Sequence, residues 1–450
     1  MSFSSIPFLF VFFPAALALH LIMPRKLKPV LLLLLSLVFY AWGDVRHIVI
    51  LLFSILFNYF AGLELRAFRE QENQSMARIA VWTTTAVNVL VLCFYKYFSD
   101  ALPVGISFFT FSALSYIFDV YRGKAEGERN ILTAALYIAF FPKLISGPIM
   151  QYAAFREQLA AFRTTKEDVF AGLELFLVGL FKKLLLADRL GVVFTAIHGQ
   201  SDMAAATAWL GMILYSLQLY YDFSGYSDMA IGLARMMGFH IDPNFDHPYT
   251  SRNVSEFWRR WHISLGAWFR DYVYIPLGGN RCGTKRQLMN LAAVWLLTGI
   301  WHGSTLNFVF WGVYHGLFIV LERFVIKDRL DAVPHAVRAL LTDLVVFIGW
   351  VFFFSPSLGA GFAYVGQMLG AGHMGFWDGT TSFYLLNNLV LLIAALLFTG
   401  PALRNLHENI LTHYPRGGIA LSVVLYGVLL AFSVAAMVNA TYSSFLYFQF

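Results

Sequence analysis

The 450-residue chain has only two cysteines, Cys93 and Cys282, and only 13% of its residues are charged. Cys93 stands inside an apolar run and Cys282 in a glycine-flanked loop. Neither belongs to a CxxC, so no disulfide framework and no cysteine metal site are expected. A soluble domain carries about 25% charged residues, and the shortage here excludes a cytosolic enzyme and a disordered chain. Several catalytic signatures are also missing: no GxxxxGK[ST] phosphate loop, no dinucleotide glycine pattern, no GxSxG elbow and no HExxH zinc helix. The group His240, Asp242, Asp246 and His247 matches no metal-ligand spacing and reads as a loop. No linker rich in Pro, Gly or Ser divides the chain, and no internal repeat is visible. No Lys or Arg precedes the first apolar run, residues 6–23, so it does not read as a signal peptide.

Apolar residues take up the share that charge leaves, at 59% of the chain. Further apolar segments cover 29–43, 46–62, 79–98, 102–120, 130–150, 170–198, 205–221, 287–300, 305–325, 338–354, 383–399 and 418–440. A crossing takes about 20 residues. Some segments are shorter and others hold Gly, Pro or charge, which suggests broken or re-entrant helices. The expectation is an all-α polytopic membrane protein with ten to twelve spans in one domain, residues 1–450. Residues 151–168 are amphipathic and read as an interfacial helix. The net charge of +6 is concentrated in short loops. Arg25, Lys26 and Lys28 follow the first run, and Arg66, Arg69 and Arg78 the third. That alternation puts the N-terminus outside and these basic loops in the cytoplasm.

Ionisable residues inside membrane segments are costly, which makes them functional candidates. Three stretches contain them. In residues 253–281, NVSEFWRRWHISLGAWFRDYVYIPLGGNR, Ser255 reads as an N-cap, and Pro276 with Gly278 and Gly279 ends the helical part. Trp258, Trp261, Leu265 and Trp268 form a stripe at helical spacing; Arg259, His262 and Gly266 follow the same spacing, and Glu256 can pair with Arg259 or Arg260. An interfacial helix with a tryptophan belt and snorkelling arginines explains the pattern equally well. The second stretch is Gly299-Ile300-Trp301-His302-Gly303, a histidine flanked by glycines that let a ligand come close. A packing histidine is the alternative. A neutral imidazole there suits a general base or an acyl carrier, and His315, 13 residues on, is a lesser candidate. In the third stretch, residues 220–240, Asp222, Asp228 and Arg235 either line a polar cavity or form a buried ion-pair network.

Together these stretches resemble the membrane-bound O-acyltransferase family, in particular its bacterial branch that O-acetylates polysaccharides such as alginate or cellulose. The resemblance rests on SFFTFSALSYIFDVYRG (107–123), FFPKLISGPI (140–149), YYDFSGYSDMAIGLARMMGF (220–239), EFWRRWHISLGAWFRDYVYIPLGGNR (256–281), GIWHG (299–303) and the terminal FLYFQF (445–450). It implies a catalytic histidine in WHG, His302, and a second functional histidine in WRRWH, His262, 40 residues earlier. It implies a ring of tilted helices around a central catalytic tunnel, entered from both faces. The candidate substrate-binding residues are Trp258, Arg259, Arg260, Trp261, Arg270, Asp271, Asn280, Trp301 and Asp222, with Arg259 and Arg260 facing donor phosphates. No bound cofactor and no metal are expected. The implied activity is transfer of an acetyl group from a cytosolic thioester, acetyl-CoA, across the bacterial inner membrane to an exopolysaccharide. A periplasmic SGNH-hydrolase-like protein would be the partner, and nucleic acid is not one. D-alanyl transfer to a cell-wall polymer from a carrier protein is the alternative, and a transporter a more distant one.

Overall fold

The computed structural model describes residues 2–326 and 332–439. Among these residues all regular structure is helical and there is no strand. The terminal FLYFQF stretch lies outside the described residues.

Helices stand where the apolar runs predict them, and their ends have local causes. The run 29–43 becomes helix Lys28–Asp44, with Pro29 in the first turn, where its missing N–H costs no bond. The run 79–98 becomes Gln74–Tyr97, begun by Asn73, whose side chain accepts the Met76 N–H at 3.1 Å. Among the described residues five helices are long and apolar enough to cross a bilayer: Ile48–Glu70, Gln74–Tyr97, Leu306–Ile326, His335–Phe354 and Pro415–Asn439. Gly379–Asn387 and Leu389–Thr399, bent by 62°, make a sixth if they are one broken span. Other segments are interrupted. The run 170–198 is helix Lys166–Phe181, a π-helical turn Lys182–Ala187 and helix Asp188–His198. Residues 151–168 contain the short helix Tyr152–Ala160. Helices Leu358–Met368 and Ala402–His413 fall outside the predicted runs. The second carries an Arg404–Glu408 pair at 2.8 Å, and its polarity hides it from a search for apolar segments.

The described residues form two compact units. One comprises residues 2–180 and 226–243. At its core the Phe39 ring meets those of Phe3, Phe8, Phe12 and Phe141 at 5.5–5.9 Å. Asn58 and Asn88 exchange side-chain hydrogen bonds of 3.1 and 2.9 Å between helices Ile48–Glu70 and Gln74–Tyr97, a polar link between apolar helices. Lys143 is buried in the same unit; its ammonium donates to Ser112 Oγ at 2.8 Å and lies 4.3 Å from the centre of the Tyr137 ring.

The second unit comprises residues 181–225, 244–326 and 332–439 and holds both candidate histidines. Its centre is a hairpin of helices Thr284–His302 and Leu306–Leu321. A Cβ on Gly299 would stand 2.6 Å from the Phe308 carbonyl oxygen, and one on Gly312 2.5 Å from that of Trp295. The missing side chains let the two backbones touch, as small residues do between membrane helices. His302, three residues beyond Gly299 at the end of the first helix, is thereby pressed against the second.

Candidate active site

The 253–281 stretch is a helix broken in the middle. Asn253, two residues before the predicted Ser255, is the N-cap of helix Val254–Arg260; its side chain accepts the Glu256 N–H at 2.7 Å. Ser255 is instead engaged from a distance. The Glu322 carboxylate accepts its N–H at 2.9 Å, its hydroxyl at 2.8 Å and the N–H of Val254. Glu322 begins the π-helical turn Glu322–Ile326 that extends helix Leu306–Leu321. This carboxylate meets the helix N-terminus, where free amides and the helix dipole both favour negative charge.

The predicted continuous stripe from Trp258 to Trp268 ends at Trp261. His262 takes φ 47°, ψ 53°, a left-handed conformation that costs a non-glycine residue about 1–3 kcal/mol. The next helix, Ile263–Phe269, then starts in a new direction, so Arg259, His262 and Gly266 share no helical face. The cause is the loop before it. Asn244 accepts the Ile263 N–H on its backbone oxygen at 2.9 Å; its side-chain oxygen meets Ser264 N at 3.1 Å, Ser264 Oγ at 3.0 Å and His262 Nδ1 at 3.3 Å. The Asp246 N–H donates to the Arg260 carbonyl at 3.0 Å. Helical periodicity cannot compete with this grip.

His262 and His302 are both buried, at 3% and 4% exposure. The Trp301 ring is common to them, 6.5 Å from His262 and 4.7 Å from His302 between ring centres. His262 also meets the Phe223 ring edge-on at 4.6 Å. His302 meets Trp311 at 4.9 Å and Phe353 at 5.1 Å. Trp258 packs against Trp295, Trp311 and His315 at 4.9–5.4 Å, and Trp261 against Trp350 at 5.0 Å. Aromatic pairs of this kind contribute about 0.5–1.5 kcal/mol each beyond the area they bury. The result is a rigid wall holding two imidazoles in an apolar setting, which suits proton transfer and hydrogen bonding to a reactant.

The other predicted residues divide. Trp258, Trp261 and Trp301 join the aromatic wall around the histidines. Arg260 is held by Glu256 at 2.8 Å and Thr250 at 3.2 Å, while Arg259 is exposed. Arg270 and Asp271 pair with each other at 2.7 Å, and Asn280 accepts from the Tyr274 hydroxyl at 2.6 Å. Asp222 sits in a buried charge cluster: Lys183 Nζ lies 2.7 Å from both Asp222 and Asp188. Asp228 and Arg235 belong to the first unit, where Arg235 reaches Asp168 at 3.5 Å. Among the described residues no group of three His, Cys, Asp or Glu side chains could hold a metal ion. Sequence reasoning passed over Asn244, Glu322 and Lys183. Lys183 carried a usable signal, a cation inside an apolar run; the other two act across distances that no local pattern encodes.

The family model "MBOAT, membrane-bound O-acyltransferase family" matches residues 105–358. A probable alginate O-acetylase, AlgI, of Azotobacter vinelandii is 36% identical over the full length of both chains. The peptidoglycan O-acetyltransferase of Helicobacter pylori is 31% identical over 81% of this chain and 79% of its own. The teichoic acid D-alanyltransferase of Bacillus subtilis is 30% identical over 49% of this chain and 59% of its own. The matched region takes in both histidines and the broken helix that carries His262, and the chain belongs to the membrane-bound O-acyltransferase family.

Proposed function

We propose that this chain is an O-acetyltransferase of the bacterial cytoplasmic membrane, taking acetyl groups from cytosolic acetyl-CoA for O-acetylation of an exopolysaccharide such as alginate. The observation that carries the reading is the pair of buried imidazoles sharing the Trp301 ring, in a chain similar end to end to an alginate O-acetylase. The D-alanyltransferase likeness covers only about half of the chain, which favours the acetyl reading. Family membership sets the transporter reading aside.

In this scheme His302 is the general base. It takes the proton of an acceptor hydroxyl as the oxygen bonds to the thioester carbonyl carbon; the carbon–sulfur bond then breaks, and the leaving thiolate recovers the proton from His302. His262 either orients the donor or stabilises charge on the thioester carbonyl. The ring of ten to twelve helices around a tunnel, with the N-terminus outside, would let donor and acceptor meet from opposite faces. A periplasmic SGNH-hydrolase-like protein would carry the group to the polymer. Cells producing the polymer with His302→Ala in place of the wild type are expected to make unacetylated polymer at normal membrane levels of the protein. Polymer acetylation at the wild-type level in that strain would overturn the proposal.

A further inference from the structure

The two roles open to His262 need different protons. To stabilise an oxyanion the neutral ring must donate from the nitrogen that meets the reactant; to orient a reactant by accepting a hydrogen bond, that nitrogen must be bare. The partner of Nδ1 decides between them. Asn244 presents one side-chain atom to Ser264 N, Ser264 Oγ and His262 Nδ1. A backbone N–H only donates, so the atom facing Ser264 N is the amide oxygen and the orientation of Asn244 is fixed. An amide oxygen only accepts. The 3.3 Å contact to Nδ1 is therefore a hydrogen bond that Nδ1 donates, and Nδ1 carries the hydrogen. An imidazolium could donate from both nitrogens, but a ring this buried, edge-on to Phe223 and beside Trp301, is costly to charge. One hydrogen on a neutral imidazole leaves Nε2 with a lone pair.

We infer that Asn244 is a positioning residue that holds His262 in its Nδ1–H form, so that Nε2 meets the substrate as a hydrogen-bond acceptor for an N–H or O–H group rather than as an oxyanion donor. The inference rests on the reading of His262 as a site residue. The grip is deliberate in its geometry: the same side chain that sets the tautomer also holds Ser264, and its backbone holds Ile263, so the left-handed turn at His262 and the state of its ring are fixed together.

The test has two arms. In the first, the full-length protein is labelled with nitrogen-15 histidine and studied in detergent, and the His262 signals are identified by their loss in His262→Gln. The expected result is a protonated, pyrrole-type Nδ1 and a bare, pyridine-type Nε2; a protonated Nε2 would overturn the inference. This arm needs no activity, so a wild type that transfers no acetyl group counts against the proposed function and leaves this result standing. In the second arm, Asn244→Asp keeps the acceptor and Asn244→Leu removes it. Asn244→Asp is expected to retain the nitrogen signature and to stay near wild-type KM for the acyl donor. Asn244→Leu is expected to mix the two ring forms and to raise KM about tenfold, the loss of one oriented hydrogen bond. An Asn244→Leu protein with a single Nδ1–H form and unchanged KM would contradict the role.

Discussion

Asp222 is a candidate for substrate binding, and the buried cluster around it makes a sharp prediction about what it contributes to stability. Lys183 and Asp222 are each about 2% exposed, Asp188 19%, and the ammonium lies 2.7 Å from both carboxylates. Asp222→Asn changes little in shape. Its amide oxygen still accepts from Lys183, and Lys183 keeps Asp188, so the loss is the difference between a charged and a neutral hydrogen bond, about 1 kcal/mol. Lys183→Met removes the only cation of the trio and leaves two carboxylates facing each other without it. Breaking a buried pair in this way costs about 3–5 kcal/mol. Thermal unfolding in detergent, followed by tryptophan fluorescence, should therefore rank the proteins wild type, Asp222→Asn, then Lys183→Met by a wide margin. The double variant, which removes one charge of each sign, should recover part of the Lys183→Met loss. Acetyl transfer at permissive temperature should survive in Asp222→Asn. An Asp222→Asn protein as unstable as Lys183→Met would contradict this ranking, and one that is fully stable but inactive would assign Asp222 to the substrate.

Other consequences follow from the same geometry. Glu322→Ala orphans the Val254 and Ser255 amides and should lower stability by about 1–3 kcal/mol and initial rate at least tenfold, with Glu322→Gln intermediate; equal rates for Glu322→Ala and wild type would separate Glu322 from the site. Gly312→Ala drives a methyl into the Trp295 carbonyl and should displace His302, costing both apparent Tm and activity; a wild-type Tm would mean the hairpin is looser than described. Asp378, outside the spans, caps Gly379–Asn387, and its bond from the Thr381 N–H at 2.8 Å holds its carboxyl below the usual carboxylate range. A depressed carboxylate stabilises above its unfolded pKa and loses that contribution as pH falls through the folded value. The Tm gap between wild type and Asp378→Ala should thus be present at neutral pH and close in acid; a gap that is constant with pH would contradict the assignment.

Much of the fold was legible because lipid burial writes itself into composition. Runs of apolar residues predicted 418–440 and 79–98, and helices stand at Pro415–Asn439 and Gln74–Tyr97. The catalytic candidates His262 and His302 were legible as ionisable residues where ionisable residues are expensive. What could not be read was how they are held. The spacing of Trp258, Trp261, Leu265 and Trp268 is helical, yet the chain breaks at His262 because Asn244, 18 residues upstream, captures both sides of the turn. Ser255 and Asn253 are both good N-caps by type; Glu322, 67 residues downstream, takes Ser255 and leaves the capping to Asn253. Non-local hydrogen bonds decided both, and a single sequence carries no periodicity that reports them. Ala402–His413 was missed for the opposite reason, since a polar helix leaves no apolar run.

The role of His302 is tested most directly by acetyl release from radiolabelled acetyl-CoA by the purified protein, wild type beside His302→Ala. The wild type is expected to free CoA or pass on the label, and His302→Ala, folded by the same fluorescence and elution criteria, to do neither. Equal turnover by the two proteins would remove His302 from the chemistry, and silence from both with the acceptor polymer and the periplasmic partner also supplied would remove acetyl-CoA as the donor.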